Sequence, residues 1–332
     1  MLNVQKFKSE FFNITPQNFE EYALALFHFQ AAQCQVYQEY LSFLKIDKDK
    51  VKKLADIPFL PIEFFKTHQI NSNRATTEIV FESSGTTGSQ NSKHYVLDAT
   101  FYKNVASTIF ERTYGKLMDY HIFALLPSYL ERSNSSLVYM VKHFKDVSAP
   151  TEDKNGGFYL NHTQDLVENL KKIQIKKQKA ILIGVTFALL DFAERNPTDL
   201  QNVIIMETGG MKGRRRELIR EEVHSLLKEA FQCQQIHSEY GMTELLSQAY
   251  SKQNGVFELP FSMKVLLRDM NDPFEVGAHL KSGGINIIDL ANIDSCAFIE
   301  TKDIGVLIDN EHFKVLGRYD NADVRGCSQL TV

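Results

Sequence analysis

The chain contains 332 residues, of which 43% are hydrophobic and 23% are charged, and its formal net charge at pH 7 is −4. This length can bury one large hydrophobic core or two ordinary ones, and the composition excludes a disordered chain. The negative net charge argues against a protein that binds nucleic acid through a general basic surface. We therefore expect a globular protein without a nucleic-acid partner.

The cysteines and the apolar runs indicate the compartment. The four cysteines lie far apart, with no Cys-x-x-Cys pair and no cluster at zinc-ligand spacing. The N-terminus lacks the apolar stretch of a signal peptide. The longest apolar run, residues 180–192, contains Gly184 and Asp191 and is too short to span a bilayer. These features predict a cytoplasmic protein with reduced thiols and no membrane span.

The N-terminal third combines helical and extended signals. Thr15-Pro16 is typical of a helix start, and residues 19–44 contain neither Gly nor Pro, which predicts one long amphipathic helix. Two prolines within residues 56–66 favour an extended segment. Residues 78–82 have the pattern of a short strand that leads into a Ser/Gly/Thr-rich loop, and a helix is predicted to begin near Asp98.

Farther along, apolar segments of strand length alternate with helical segments. Strands are predicted at residues 121–126, 179–185, 203–206 and 235–240, and helices at 165–177, after 185 and at 215–231. This alternation predicts an α/β fold with a substantial parallel sheet. From Gly255 onward, short β-like segments lie between turns. We therefore predict an α/β core over residues 1–254 and a β-rich subdomain of the same core over residues 255–332.

The loop at residues 83–89 is the first candidate for chemistry. Its sequence, Ser-Ser-Gly-Thr-Thr-Gly-Ser, provides five hydroxyl groups and two glycines. Backbone N–H groups that no side chain shields, together with rotatable hydroxyl donors, suit a polyphosphate. The Gly-Lys-Ser/Thr ending of the common mononucleotide loop is missing, so a solvated turn remains an alternative for this segment alone.

Three later segments change the interpretation of this loop. They are Glu-Tyr-Gly-Met-Thr-Glu at 239–244, Thr-Lys-Asp-Ile-Gly at 301–305 and Gly-Arg-Tyr-Asp at 317–320. Together with the loop, and in this order, they resemble the motifs of the adenylate-forming (acyl-activating) enzymes, which make acyl-AMP from a carboxylic acid and ATP. The chain is most similar to the acyl-protein synthetase (LuxE-type) branch, which is related to phenylacetate-CoA ligases. Residues 57–62, 65–66 and 325–328 resemble that branch as well.

The resemblance implies a set of residues that bind ATP. They are Ser83, Ser84, Gly85, Thr86, Thr87 and Gly88 for the β- and γ-phosphates, Gly209, Gly210 and Tyr240 for the adenine, and Asp303 with Arg318 for the ribose. It also implies catalytic residues, which are Glu244 as the Mg²⁺ ligand, Thr243 at the α-phosphate, Lys93 near the departing pyrophosphate and Cys327 as an acyl acceptor. A carboxylate and ATP are both anions, so a site that holds them together and neutralises charge lowers the barrier to their reaction.

Each later motif also has a purely structural interpretation. The alternatives are a helix cap for Glu244, a turn for Asp303, a surface ion pair for Arg318, a sharp strand-to-helix turn for Gly209-Gly210, a packing role for Cys327, and a solvated face rather than a phosphate site for residues 214–216. Cys34, Cys233 and Cys296 are expected in the core.

The resemblance gives a function and leaves alternatives. We expect ATP-dependent activation of a carboxylic acid, a fatty acid by analogy with the branch, followed by transfer to a protein thiol, a carrier or another acceptor. Because the chain ends shortly after Arg318, the small mobile C-terminal domain of the superfamily, with its lysine, is expected to be absent. Acyl transfer without adenylation, a ligase-like core that needs a partner chain, and a nucleotide-binding module without catalysis are the alternatives.

Overall fold

The computed structural model describes residues 2–72, 76–84, 90–127, 132–149, 157–210, 218–277 and 279–319. The helices in these ranges are α1 Val4–Glu10, α2 Phe19–Gln33, α3 Gln35–Phe43, α4 Phe64–Thr67, α5 Ala99–Tyr114, α6 Ser136–Val147, α7 Thr163–Lys176, α8 Thr186–Arg195 and α9 Arg220–Phe231. The strands are β1 Leu60–Pro61, β2 Ile79–Glu82, β3 Lys93–Val96, β4 His121–Leu125, β5 Ala180–Gly184, β6 Val203–Glu207, β7 His237–Tyr240, β8 Ala249–Ser251, β9 Phe257–Glu258, β10 Met263–Arg268, β11 Gly283–Asp289, β12 Phe298–Leu307 and β13 His312–Arg318.

One large sheet organises the fold. Within the described ranges it contains eleven strands in the order β10-β11-β12-β13-β9-β8-β7-β6-β5-β4, and β1 pairs with β12 in addition. Strands β4 to β7 are parallel, whereas β7 to β13 pair in antiparallel fashion. Strands β2 and β3 form a separate antiparallel pair. The predicted α/β class is confirmed.

The parallel half follows from its sequence. Every residue of β4 and of β5 is buried, because helices cover both faces of a parallel sheet and the strands are continuously apolar. Parallel strands end at a common edge, and ligands of open α/β sheets bind outside the carboxyl ends of the strands. The ends of β6 and β7 therefore mark the region in which to look for a site.

The antiparallel half contains the predicted β segments after Gly255. Its longest strand is β12, Phe298–Leu307, which has a register shift between Ile304 and Gly305 against β13. All the parallel pairs of the main sheet except β1–β12 lie before residue 254. The division into residues 1–254 and 255–332 stays a prediction.

The prediction of one long N-terminal helix is wrong. Helix α2 begins at Phe19, three residues after Pro16, and a break at Cys34, whose backbone is extended (φ −95°, ψ 102°), separates it from α3. Seven of the fifteen residues of α2 are buried, and the Gln30 amide bonds backbone groups of the β11–β12 connection, including Ala297. Tertiary contacts therefore override the helical pattern here.

Helix α9 also begins later than predicted. Residues 211–217, which include residues 214–216 of the basic cluster, lie outside the described part, and Ile219 is extended as the cap of a helix that starts at Arg220. Cys34, Cys233 and Cys296 are buried free thiols. None of the described helices has the length and apolar character needed to cross a membrane.

Candidate active site

A cavity of about 210 Å³ lies at the carboxyl ends of β6 and β7. Four residues that the sequence motifs predicted are in its wall: Ser84, Gly209, Gly210 and Thr243. They come from three separate segments of the chain: the glycine pair follows β6 and Thr243 follows β7 of the main sheet, whereas Ser84 follows β2 of the separate strand pair. The structure thus brings Ser84, the glycine pair and part of the Tyr-Gly-Met-Thr-Glu motif to one cavity, and Tyr240, Glu244, Asp303 and Arg318 are not in its wall.

The Ser/Gly/Thr-rich loop connects β2 to β3. The Ser83 N–H donates to the Ser92 carbonyl (3.0 Å), and the Ser92 N–H donates to the Ser83 hydroxyl (2.9 Å), so the two ends of the loop are held together. Gly85, Thr86, Thr87 and Gly88 lie outside the described residues. At the base of the loop, the half-exposed Lys93 pairs with Glu82 across the two strands (3.7 Å) and is not in the cavity wall.

The glycine pair after β6 is a sharp turn and also part of the cavity wall. Gly209 and Gly210 have φ values of +71° and +88°, a left-handed conformation that favours glycine. The Gly209 N–H donates to a carboxylate oxygen of Glu207 (2.7 Å), which fixes the start of the turn. The structural interpretation is therefore correct, and it does not compete with a place in the site.

Tyr240 and Asp303 form a second part of the candidate site. The Tyr240 hydroxyl donates to Asp303 Oδ2 at 2.7 Å. Asp303 lies within β12 opposite Arg318 on β13, so the interpretation as a turn residue is wrong. Burial raises the pKa of Asp303 above its usual value, although the bond from Tyr240 and the charge of Arg318 oppose the shift.

The Thr243-Glu244 segment is held by its backbone rather than by a helix. Residues 241–248 contain no helix, so the expectation of a helix cap at Glu244 is wrong. The Thr243 carbonyl accepts from His94 Nδ1 (2.9 Å), and the Glu244 carbonyl accepts from the Asn292 amide (2.8 Å). Burial lowers the pKa of His94 to about 4, so the ring is neutral at pH 7 and donates through one nitrogen.

The pKa of the Glu244 carboxyl group lies above its usual value, because the groups around it only partly offset the effect of burial. The side chain is buried, and burial raises its pKa, whereas a hydrogen bond from Ser92 and the charges of Arg318 and Lys66 oppose that shift. The described residues contain no cluster of three or more Asp, Glu, His or Cys side chains that could enclose a metal ion. A single carboxylate can bind Mg²⁺ when phosphate oxygens and water supply the other ligands, and Glu244 provides such a carboxylate.

Two buried carboxylates were missed by the sequence analysis. Glu207 ends β6 and Glu239 lies within β7, and both occur in strongly buried strands. A charged residue in or at the end of an apolar strand is the signal that could have identified them. Glu239 belongs to the cavity wall together with Gln248, which the sequence analysis also missed.

The two carboxylates have opposite environments. Burial alone would raise the pKa of Glu207, but hydrogen bonds from His224, Ser238 and Gly209 and the charge of Arg220 lower it to about 2. For Glu239, burial and the neighbouring charge of Glu207 raise the pKa to about 8. Glu207 is therefore ionised at pH 7, and Glu239 is largely protonated.

Solved structures with the same fold define the class of protein. ATP-bound MatB from Rhodopseudomonas palustris superposes with a TM-score of 0.53 and 14% identity, over 74% of this chain and 49% of that chain. O-succinylbenzoate Coenzyme A Synthetase (MenE) from Bacillus subtilis, in complex with ATP and magnesium ion, gives a TM-score of 0.51 and 16% identity, over 73% and 50%. The fold is that of the adenylate-forming ligases, and the chain spans about half the length of these structures.

The sequence identifies the family within this class. The model of the acyl-protein synthetase family, LuxE, matches residues 15–331. The chain therefore belongs to the LuxE acyl-protein synthetase family. A comparison with curated proteins gave no match.

Proposed function

We propose that the protein activates a carboxylic acid with ATP, forming an acyl-AMP and releasing pyrophosphate. The observation that carries this proposal is the convergence of Ser84, Gly209, Gly210 and Thr243 on one cavity. The adenylate-forming chemistry of the family supports the same reaction.

The nucleotide would extend from the cavity towards β12. Tyr240 and the glycine pair are the proposed adenine contacts, and Asp303 the proposed acceptor for the ribose hydroxyls. Tyr240 bonds Asp303 Oδ2, so the other carboxylate oxygen, Oδ1, is the proposed ribose acceptor. Arg318, opposite Asp303 in the strand pair, would assist. The loop from Ser83 to Gly88 would bind the β- and γ-phosphates.

The reacting groups are anions, and positive charge near them lowers the barrier to their approach. The charges of Lys66 and Arg318 reach Glu244, and Lys93 lies at the base of the phosphate loop. When bound, Mg²⁺ would neutralise charge on the phosphate oxygens, with Glu244 as its protein ligand. Thr243 would donate its hydroxyl to the α-phosphate.

The second half of the proposed reaction transfers the acyl group. The thiolate of Cys327 would attack the acyl carbonyl of the acyl-AMP, a thioester would form, and AMP would leave. A partner protein or carrier would then take the acyl group. Cys327 lies outside the described residues, so this step rests on the family and on the sequence. A fatty acid is the proposed substrate class on the same basis.

Acid-dependent ATP–pyrophosphate exchange tests the first half. The Glu244→Gln variant keeps the size of the side chain but removes its charge, and we expect exchange to fall at least about a hundredfold. Glu229→Gln, at an exposed position of α9, is the matched control and should exchange like the wild type. Exchange at the wild-type rate in Glu244→Gln would remove Glu244 from the mechanism.

Labelling tests the second half. With labelled acid and ATP, the wild type should retain label that hydroxylamine releases, and Cys327→Ser should retain none. Cys233→Ser, a change at a buried thiol elsewhere, is the control and should label normally. Label that survives in Cys327→Ser would exclude this cysteine as the acceptor.

A further inference from the structure

The Glu239 carboxyl group faces the candidate active site without a partner. Glu239 is 9% exposed and contributes to the cavity wall. Within the described part of the chain, no hydrogen bond to this carboxyl group is found, and its pKa responds only to burial and to the charge of Glu207. Buried polar groups in native proteins are nearly always hydrogen-bonded. The group is therefore available to a ligand in the cavity.

Gln248 also has a side-chain polar atom without a hydrogen-bond partner among the described residues. Its side chain is 3% exposed and contributes to the same wall. The amide nitrogen donates to the Leu246 carbonyl (3.2 Å), but the amide oxygen, Oε1, is buried and has no hydrogen-bond partner among the described residues. An amide oxygen only accepts hydrogen bonds, and a rotation of this side chain towards the cavity would expose Oε1 to a donor there.

The two side chains lie close together above Gly241. A Cβ atom placed on Gly241 would lie 2.3 Å from Glu239 Oε1 and 3.3 Å from Gln248 Cγ. Gly241 is the glycine of the Tyr-Gly-Met-Thr-Glu motif, and it also lies in the cavity wall. The polar pair is therefore part of the wall that also contains Thr243, the residue proposed to contact the α-phosphate.

The rest of the wall is mixed, with polar side chains such as Arg132 and Ser135 beside a set of apolar ones. The apolar residues are Leu126, Pro127, Leu137, Val138, Met140 and Val185. These residues suit an aliphatic chain, whereas a plain hydrocarbon would leave Glu239 and Gln248 unpaired. A carboxyl group accepts hydrogen bonds in either protonation state and donates one when protonated, which burial and the charge of Glu207 favour at Glu239, and an amide oxygen accepts. A hydroxyl or amino group on the chain would satisfy both side chains.

We infer that the acid activated at this site carries a hydrogen-bond donor, a hydroxyl or an amino group, on its aliphatic chain, and that Glu239 and Gln248 bind this group. The inference rests on the proposed function and narrows its substrate class. The two side chains act on specificity, since neither is placed at the reacting phosphorus.

The first test compares aliphatic acids of equal length, unsubstituted, hydroxylated and aminated at successive positions, in ATP–pyrophosphate exchange. At least one substituted acid should exceed its unsubstituted counterpart by about tenfold or more in kcat/KM, because a site built to hydrogen-bond a substrate rejects the analogue that lacks the group. Unsubstituted acids that equal or exceed all substituted ones would overturn the inference.

A different outcome is expected if the proposed function, rather than the inferred substrate class, is wrong. If no acid supports exchange, the proposed adenylation falls, and the same acids are compared by thermal shift in the presence of a non-hydrolysable ATP analogue. A larger shift with a substituted acid than with its unsubstituted counterpart supports the inference. Equal shifts, or none, overturn it.

The second test uses variants. Glu239→Met and Gln248→Met keep the bulk of the side chains but remove the polar atoms, and each should reduce the preference for the substituted acid to about one. Glu239→Gln keeps a neutral side chain that both donates and accepts, so this variant should retain the preference for a hydroxyl group. Glu229→Met on the exposed face of α9 is the control and should keep the full preference.

A preference that survives in both Glu239→Met and Gln248→Met would overturn the assignment of these residues. Urea unfolding of each variant shows that the protein is folded. The measured quantity is the ratio of the kcat/KM values for two acids on the same protein. A general loss of active enzyme lowers both values and leaves the ratio unchanged.

Discussion

Neighbouring strands of the parallel sheet carry two buried glutamates that differ in charge. At the end of β6, Glu207 accepts from the Gly209 N–H (2.7 Å), the Thr186 hydroxyl (3.1 Å) and Arg220 Nε (3.3 Å). On β7, the described residues provide no such donor to Glu239. The first pKa is about 2 and the second about 8, although both side chains are buried.

The comparison shows that hydrogen-bond donors, more than depth, decide which buried carboxyl group is ionised. The ionised Glu207 has a structural task, since it holds the glycine turn. The protonated Glu239 has no bond to maintain in the described structure and faces a cavity. Glu207 therefore stabilises the turn at the candidate site, and the carboxyl group of Glu239 is available to bind a ligand in the cavity.

The largest effect should come from Glu207→Ala. This change leaves Arg220, the Thr186 hydroxyl and the Gly209 N–H without their acceptor, and removal of one partner from a buried ion pair costs about 3–5 kcal/mol. Urea unfolding measures the loss, and Glu229→Ala on the exposed face of α9 is the control. A loss of stability below about 1 kcal/mol would show that the bonds of Glu207 contribute little.

The second largest effect should be a dependence of the free energy of unfolding on pH, caused by Glu239. Its pKa rises from 4.5 to about 8 on folding, so the unfolded chain releases this proton first, and the protein loses stability as pH rises from about 4.5 to 8. Glu239→Gln removes this loss. The variant should therefore gain on the order of 3 kcal/mol relative to the wild type between pH 5 and pH 8.

Glu207 provides the opposite control for this measurement. Its pKa falls from 4.5 to about 2 on folding, so its contribution is complete above pH 5 and is lost as pH falls towards 2. Glu207→Gln should flatten only the acid side of the stability profile. Parallel profiles for Glu239→Gln and the wild type from pH 5 to pH 8 would contradict the assigned protonation of Glu239.

A smaller effect is expected from Gly241→Ala. The new methyl group would lie 2.3 Å from Glu239 Oε1, so the Glu239 side chain must move, at a cost of about 2 kcal/mol. In a Glu239→Ala background the same change should cost less than about 1 kcal/mol, because the clashing atom is gone. Additive costs in a double-mutant cycle measured by thermal unfolding would show that the two residues do not touch.

Asp303 is intermediate between the two glutamates, with one bond from Tyr240 and a raised pKa. Tyr240→Phe removes that bond, and because Asp303 is only partly buried, water can replace the hydroxyl. We expect a loss of about 1 kcal/mol in stability, measured by urea unfolding. The KM for ATP should rise more than the KM for the acid, and an equal rise in both would argue against a ribose contact at Asp303.

Local sequence patterns were sufficient to predict the buried strands of the parallel half of the sheet. The buried strands β4, β5 and β6 match the predicted segments within about one residue at each end, because a continuous apolar run between turns has few alternatives. The break at Cys34 and the late start of α9 were not predictable in this way. Near both points, side chains bond segments that are distant in the sequence: Gln30 bonds Asn292 and Ala297, and Arg220 bonds Val315.

The candidate site shows the same division. The motifs predicted a shared site for Ser84, Gly209, Gly210 and Thr243, and these four residues line one cavity. The carboxyl ends of the parallel strands β6 and β7 meet there, but the place of Ser84, after β2 of the separate strand pair, could not be predicted from the parallel sheet. The sequence did not predict that His94 and Asn292 hold the Tyr-Gly-Met-Thr-Glu motif in place. Both side chains bond backbone carbonyl groups of the motif, and such bonds leave no pattern in the sequence. The state of Glu239 was equally hidden, since it depends on which donors other strands bring near.

The short strand β1 has a consequence for synthesis of the protein. Leu60 pairs with Ile299, and the buried amide of Gln30 bonds Ala297. A chain leaves the ribosome N-terminus first, so the early helices emerge long before the strand that completes them. The N-terminal segment from α1 to β1 therefore stays exposed during most of translation. Fragments of the chain that end before β12 should depend on chaperones to avoid aggregation.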